Sequence, residues 1–254
     1  MKKIALATAA ATLLFAGSAS AADLAARPYT KAPMAAPIAV YNWTGFYVGG
    51  QVGYGWRDDD NVERVLATGL PDGWRANSQP SGVVGGVHAG YNWQAGMFVL
   101  GVEGDVEGSD VNGTGFYRLN GGAPILDRVD SSTDWQASIR GRVGIAANNW
   151  LLYGTAGAAF TTINHTYVSV VGGNGALSFN NSLTGWTAGA GVEYGFTPNW
   201  SARVEYRYTD YGTVTNNVGT LFGAAATLQD QHITDSTVRG GISYRFGGPI
   251  VARY

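Results

Sequence analysis

The sequence predicts an all-β fold, an eight-stranded antiparallel up-and-down transmembrane β-barrel. Three observations lead there. Apolar and polar residues alternate with period two in eight separate runs, the spacing that sends successive side chains to opposite faces of a strand. The connections between those runs are alternately tight and long. In the seven runs whose facing is clear, the apolar face has no charged residue, whereas the other face carries glycines and charges of both signs.

Composition removes competing classes. The 254 residues include 38 Gly, 8 Trp, 14 Tyr and 9 Phe, no Cys, and only 13% charged residues, against a usual charged share of about 25%. Glycine without a Gly-X-Y period excludes collagen. The charge deficit argues against a disordered polyanion, and no basic cluster marks a nucleic-acid footprint. Without Cys there are no disulfides, iron–sulfur clusters or thiolate zinc sites.

Residues 1–21 read as a signal peptide: Lys2 and Lys3 precede an apolar stretch from Ile4 to Ala16, and Ala19-Ser20-Ala21 is a small-x-small cleavage site. The stretch is shorter than the roughly 20 residues a spanning helix needs. Residues 22–42 read as an Ala/Pro-rich periplasmic linker, because Pro28, Pro33 and Pro37 each block a continuous helix.

The barrel is expected over residues 43–246. In the first run, Phe46, Val48, Val52, Tyr54 and Trp56 oppose Gln51 and Arg57. The second sets Val83, Val87, Tyr91 and Trp93 against His88, Asn92 and Gln94, and the third sets Phe98, Leu100, Val102 and Val106 against Glu103, Asp105 and Glu107. In the fourth, Trp135, Ile139, Val143 and Ile145 oppose Gln136, Arg140 and Arg142. The fifth, Trp150 to Phe160, is apolar on both sides and its facing is ambiguous. The sixth opposes Trp186, Val192, Tyr194 and Phe196 to Thr187 and Glu193; the seventh, Trp200, Val204, Tyr206 and Tyr208 to Arg203, Glu205 and Arg207; the eighth, Val238, Ile242, Tyr244 and Phe246 to Arg239, Ser243 and Arg245. Residues 247–254 follow as a C-terminal tail.

Tight turns with Gly, Asn and Pro chemistry join the second and third runs at Ala95-Gly96, the fourth and fifth at Ala147-Asn148-Asn149, and the sixth and seventh at Thr197-Pro198-Asn199. The other connections, roughly 58–81, 108–132, 163–182 and 212–231, are long and polar. Short periplasmic turns opposite four long extracellular loops are the layout of an outer-membrane barrel. A soluble eight-stranded barrel also alternates but turns its apolar face inward. Here the polar face carries Glu103, Asp105, Glu193 and Glu205 with Arg140, Arg142, Arg203, Arg207, Arg239 and Arg245. A small lumen holds such a set only if the charges pair, and the mixed signs permit it. The uncharged apolar face suits hydrocarbon, where a mid-depth Arg or Lys costs about 2–4 kcal/mol, and aromatics at its strand ends read as two interfacial girdles.

Asn42-Trp43-Thr44-Gly45-Phe46-Tyr47-Val48-Gly49-Gly50 resembles the opening strand of the alphaproteobacterial outer-membrane β-barrel family, which includes the major surface barrels of Brucella and rhizobia. Gly90-Tyr91-Asn92-Trp93-Gln94 with Gly101-Val102-Glu103-Gly104-Asp105, Ser138 through Gly144, and Trp200 through Tyr211 resemble it too, so the likeness spans residues 42–246. Arg239, Gly241, Tyr244 and Phe246 are similar to the final-strand signal read by the barrel assembly machinery. The family pattern commonly ends on that Phe, whereas here Gly247 to Tyr254 follow. The resemblance implies residence in the cell outer membrane, contact with outer-membrane lipid and lipopolysaccharide, and a structural or surface role.

Little catalytic chemistry is in view. His88 faces the lumen by alternation, and His165 and His232 fall in or beside outer loops. Asp58-Asp59-Asp60-Asn61 with Glu63 reads as a solvated acidic loop, since it lacks the sixth-position Gly and twelfth-position Glu of an EF-hand. No Gly-x-Ser-x-Gly, HExxH or P-loop is present, and His232 beside Asp230 or Asp235 is the nearest approach to a catalytic set. The expectation is a non-enzyme with no cofactor, metal or nucleic-acid partner and an extracellular partner not named by the sequence. Two further functions stay open: a narrow passive pore, if inward glycines leave gaps, and haem or other ligand binding by the outer loops.

Overall fold

The computed structural model describes residues 41–246 apart from 120, 121, 123, 171–174 and 223–224. The expected signal peptide, residues 22–40 of the expected linker, and the tail with Tyr254 lie outside the described residues. Every regular element among them is a strand: β1 (Gly45–Val65), β2 (Pro71–Ser78), β3 (Ser81–Ala95), β4 (Phe98–Leu119), β5 (Pro124–Ala147), β6 (Trp150–Ser169), β7 (Gly175–Gly195), β8 (Trp200–Gly219) and β9 (Thr227–Arg245).

All pairings are antiparallel between neighbours, and β1 pairs with both β3 and β9, so the sheet closes on itself. Closure leaves no edge to hydrate, as a bilayer demands. The ninth strand comes from a break. Asp59 and Trp56 of β1 stand opposite Ser78 of β2 and Ser81 of β3, so β2 and β3 are collinear and share one of eight staves. Gln79-Pro80 separates them because proline has no N–H for the ladder. Arg57 N–H still donates to Pro80 O across the break, at 2.9 Å.

The regions expected as four long loops are mostly strand. Connections on that rim shrink to 66–70, 120–123, 170–174 and 220–226. The alternation persists there, but in polar residues on both faces: Asp58 and Asp60 point outward while Asp59, Asn61 and Glu63 are buried inside. Hydropathy contrast disappears where the wall leaves hydrocarbon, although the ladder continues. On the opposite rim the turns are short, with left-handed φ of 62° at Gly96 and 52° at Asn148.

Facing follows the apolar alternation. Phe46 and Ile139 are 66% and 67% exposed on the outside, whereas Glu103 is 2% exposed within. Strand β6 resolves the ambiguous run: Trp150 and Leu152 point out, Leu151 and Tyr153 in. Cross-strand aromatic pairs ring the wall at two heights, Phe46–Tyr91 and Trp150–Tyr194 near the short turns and Trp186–Tyr208 and Trp56–Tyr206 toward the other rim. The apolar outer band therefore ends on β1 at Trp56 and on β6 at Phe160.

Candidate functional site

The lumen is filled in layers. At the short-turn mouth, Tyr41 and Trp43 turn inside and pack against Val99, Leu151 and Tyr153. Tyr41, at the end of the segment read as a linker, is thus part of the interior. Gln94 Oε1 accepts from Trp43 N–H at 2.8 Å, and Thr44 Oγ1 accepts from Gln94 N–H at 3.0 Å, pinning the segment. Arg245, expected in the charge network, makes no carboxylate pair among the described residues. Its guanidinium lies 4.2 Å from the Tyr41 ring centroid and donates to Pro198 O at 2.6 Å. Its strand position is the physical reason: it is the last inward residue of β9, beside the plug.

Above the plug Arg142 pairs with Glu193 and stacks 3.8 Å from the Tyr153 centroid. Then comes the ionic core, where Glu103, Asp105, Glu107 and Glu205 meet Arg140, Arg203, Arg207 and Arg239. Arg140 is central: Nη2 lies 2.6 Å from Glu103 Oε1 and 3.0 Å from Asp105 Oδ2, and Nη1 lies 2.8 Å from Glu205 Oε1. Arg203 bridges Glu103 at 2.5 Å and Gln51 at 2.6 Å. Arg207 binds both oxygens of Asp105, at 3.1 and 3.2 Å, and reaches Glu205 at 3.1 Å. Arg239 pairs with Glu107 at 2.8 Å. Tyr47 and Tyr153 hydroxyls donate to Glu103 and Glu205 at 2.7 and 3.1 Å. Equal numbers of charges, almost entirely buried, satisfy the pairing that a low-dielectric interior requires.

Several inward glycines lie directly under large neighbours. A Cβ on Gly191 would lie 2.5 Å from the Tyr153 hydroxyl, one on Gly53 2.9 Å from Arg239 Cγ, and one on Gly49 2.5 Å from His88 Nε2. Inward glycines are the space that large neighbours on the next strand occupy. His88 is buried there, with Nε2 2.8 Å from Ser243 Oγ.

Beyond the outer girdle a second ionic group appears. Arg57 holds Asp235 through two hydrogen bonds of 2.6 and 3.0 Å and donates to Thr133 at 2.7 Å. Asp59 lies 3.9 Å from the same guanidinium; burial, only partly offset by Arg57, pushes its carboxyl up to about 7. Higher still, Asn61 and Gln231, opposite each other across β1 and β9, are fully buried with amides that have no hydrogen-bond partner among the described residues. His165 is buried beside Asn181, its imidazole pushed down to about 3 by burial and by Arg57. An apolar cluster of Ala76, Tyr117, Val129, Tyr167 and Val218 is buried toward the outer end.

The structure thus brings together Glu103, Asp105, Arg140, Arg203, Glu205, Arg207 and Arg239, sets Arg142 with Glu193 one layer below, and excludes Arg245. Sequence reasoning left Glu107, Gln51, Arg57, Asp59 and Asp235 out of the interior charge set. Arg57 stands on the polar face of the first run, one residue past Trp56, and Asp235 is reached by carrying the eighth run's alternation three residues upstream of Val238. The acidic run is strand rather than loop, so its carboxylates divide between two faces. Among the described residues no group of three or more His, Asp or Glu could hold a metal ion. His232 points outward, 3.9 Å from Asp210, Asp230 pairs with Arg64 on the outside, and Asp235 is held by Arg57 inside, so the three do not converge. At the end of β9, Gly241 faces Gln51, Tyr244 stacks on Trp200 and Phe246 at 5.1 Å each, and Phe246 N–H donates to Phe46 O at 2.8 Å.

The sequence profile described as outer membrane protein beta-barrel domain matches residues 7–246. The chain is 33% identical over 257 residues to the 31 kDa outer-membrane immunogenic protein of Brucella melitensis, covering 97% of this chain and 100% of that one. It is 37% identical over 172 residues to the 22 kDa outer membrane protein of Rhizobium leguminosarum, covering 67% and 65%. In fold it is similar to the crystal structure of the outer membrane protein OprG from Pseudomonas aeruginosa, with a TM-score of 0.57, 15% identity, and coverage of 82% and 98%.

Proposed function

We propose, from the premise that this chain belongs to the outer membrane protein β-barrel domain family, that it serves as a closed structural barrel displaying its outer rim at the cell surface. It is a protein of the cell outer membrane. The observation that carries the structural reading is the paired ionic core that occupies the lumen, with an aromatic plug at one end and an apolar cluster toward the other. An eight-stranded barrel encloses a space that side chains just fill, unlike the aqueous channel of a 16-stranded porin. The Brucella relative's name, an immunogenic outer-membrane protein, supports surface display here. Outer-membrane lipid and lipopolysaccharide are the partners of the wall, and the barrel assembly machinery is the partner during biogenesis.

One observation favours a second reading, a narrow solute path: the uncharged Asn61 and Gln231 amides above the ionic core have no hydrogen-bond partner among the described residues. Single-channel conductance of the refolded mature chain, residues 22–254, decides between them. Silence from folded, heat-modifiable protein supports the closed barrel; reproducible discrete openings that survive repurification make the pore the function.

A further inference from the structure

The outward face of the wall above the outer girdle carries a charge arrangement that barrel packing does not explain. Where β2 pairs with β4, Arg75 stands directly opposite Arg118. Their chain neighbours Ala76 and Tyr117 are each 1% exposed inside, so alternation turns both arginines outward, and both are exposed. Like charges directly opposite in a ladder repel and weaken it. Neither arginine makes an ion pair with the described residues. The contrast is local: Arg64 on β1 pairs with Asp230, and Arg128 on β5 lies 3.1 Å from Asp130.

Height and direction identify what lies alongside. Val62 of β1 is in register with Arg75, six residues past Trp56. With a rise of about 3.3 Å per residue and a tilt of about 40°, Val62 stands about 15 Å above the girdle, and the two arginines occupy the same upper zone on the adjoining strands. Arg118 is one residue from the end of β4, so the pair points radially outward near the outer rim, above the hydrocarbon. The phosphates and carboxylates of an outer-leaflet lipid's sugar core would match such guanidinium forks in charge and geometry.

We propose that Arg75 and Arg118 form a binding site for the anionic sugar core of lipopolysaccharide. The proposal rests on the outer-membrane barrel reading and assigns its lipid contact to specific residues.

The test compares binding of core-bearing, phosphorylated lipopolysaccharide and of lipid A alone by the refolded mature chain. The wild type is expected to bind the core-bearing lipid more tightly, with the difference shrinking as salt screens the contact. R75E/R118E should weaken that binding at least about tenfold, the equivalent of one lost charge-assisted contact, and leave lipid A binding unchanged. R75K/R118K should fall between, and Asn180→Glu, exposed on β7, should change neither. Equal binding of the core-bearing lipid by wild type and R75E/R118E overturns the proposal, as does a wild type that binds it no better than lipid A. Competition at these arginines by a sulfated polysaccharide but not by the lipopolysaccharide core also overturns it. If R75E/R118E does not fold, the wild-type comparison of the two lipids decides. Failure of the barrel reading itself would appear separately, as loss of the heat-modifiable fold with both lipids.

Discussion

Replacing Arg140 with Met removes the guanidinium that three carboxylates share while preserving an unbranched stem. Glu103, Asp105 and Glu205 lie 2.6, 3.0 and 2.8 Å from it. The remaining layer sets Glu103, Asp105, Glu107 and Glu205 against Arg203, Arg207 and Arg239, leaving one negative charge uncompensated in the interior. Removing one partner of a buried ion pair costs about 3–5 kcal/mol. Glu103 keeps Arg203, and Asp105 and Glu205 share Arg207, so the expected loss is within that range rather than a multiple of it. Neutralising one acid should return part of it: R140M/E103Q is expected to show about 1–3 kcal/mol of favourable coupling. Arg140→Glu, which adds a fourth acid where the three converge, should yield little folded barrel. The assay is urea unfolding in detergent, followed by tryptophan fluorescence and by the heat-modifiable gel shift, with the slope checked for constancy. A wild-type midpoint for R140M, or strict additivity in R140M/E103Q, would refute the claim that the core is held by mutual neutralisation.

Trp43→Ala should cost about 3–5 kcal/mol, as for other buried aromatics, yet remain silent in planar bilayers because the ionic core still fills the lumen; openings in that variant would assign closure to the plug alone. Asp59 lies beyond the apolar band, where burial pushes its carboxyl up to about 7 from the ordinary 3.8. The folded state therefore binds the extra proton, and stability should fall as pH rises from about 4 through 7 and level off above; Asp59→Asn should abolish that slope, and an unchanged profile would count against the assignment. Gly191→Ala, which would crowd the Tyr153 hydroxyl, should lower folded yield sharply, whereas Gly240→Ala, with open space around its Cβ, should be tolerated; equal midpoints would show that the interior yields. Phe246→Ala should reduce outer-membrane assembly more than Tyr254→Ala, and the reverse ranking in membrane fractions would move the signal into the tail.

Much of the fold was legible because a bilayer imposes contrast. Wherever the wall touches hydrocarbon, outward residues such as Phe46, Val102, Ile139 and Ile242 must be apolar, so period two is written in hydropathy and both the facing and the strand locations can be read. The same contrast exposed the interior carboxylates and arginines as a set. Beyond Trp56 water touches the outside as well, so Asp58 to Glu63 looked like a loop although its backbone continues the ladder. The broken stave was hidden for a related reason: Pro80 interrupts a strand without moving it from its place in the ring.

By itself, the sequence determined which side chains face inward and that their charges have opposite signs, because both are properties of local alternation and composition. Which partners meet was decided only by the closed sheet, through register. Arg140 reaches Glu205, 65 positions away, because curvature brings opposite walls within a side chain's length. Register likewise filled the space above each inward glycine and drew Tyr41 into the mouth. It also set Arg75 against Arg118, an opposition between residues 43 positions apart in the chain. Such contacts depend on stagger and closure, which emerge only when all the staves are assembled.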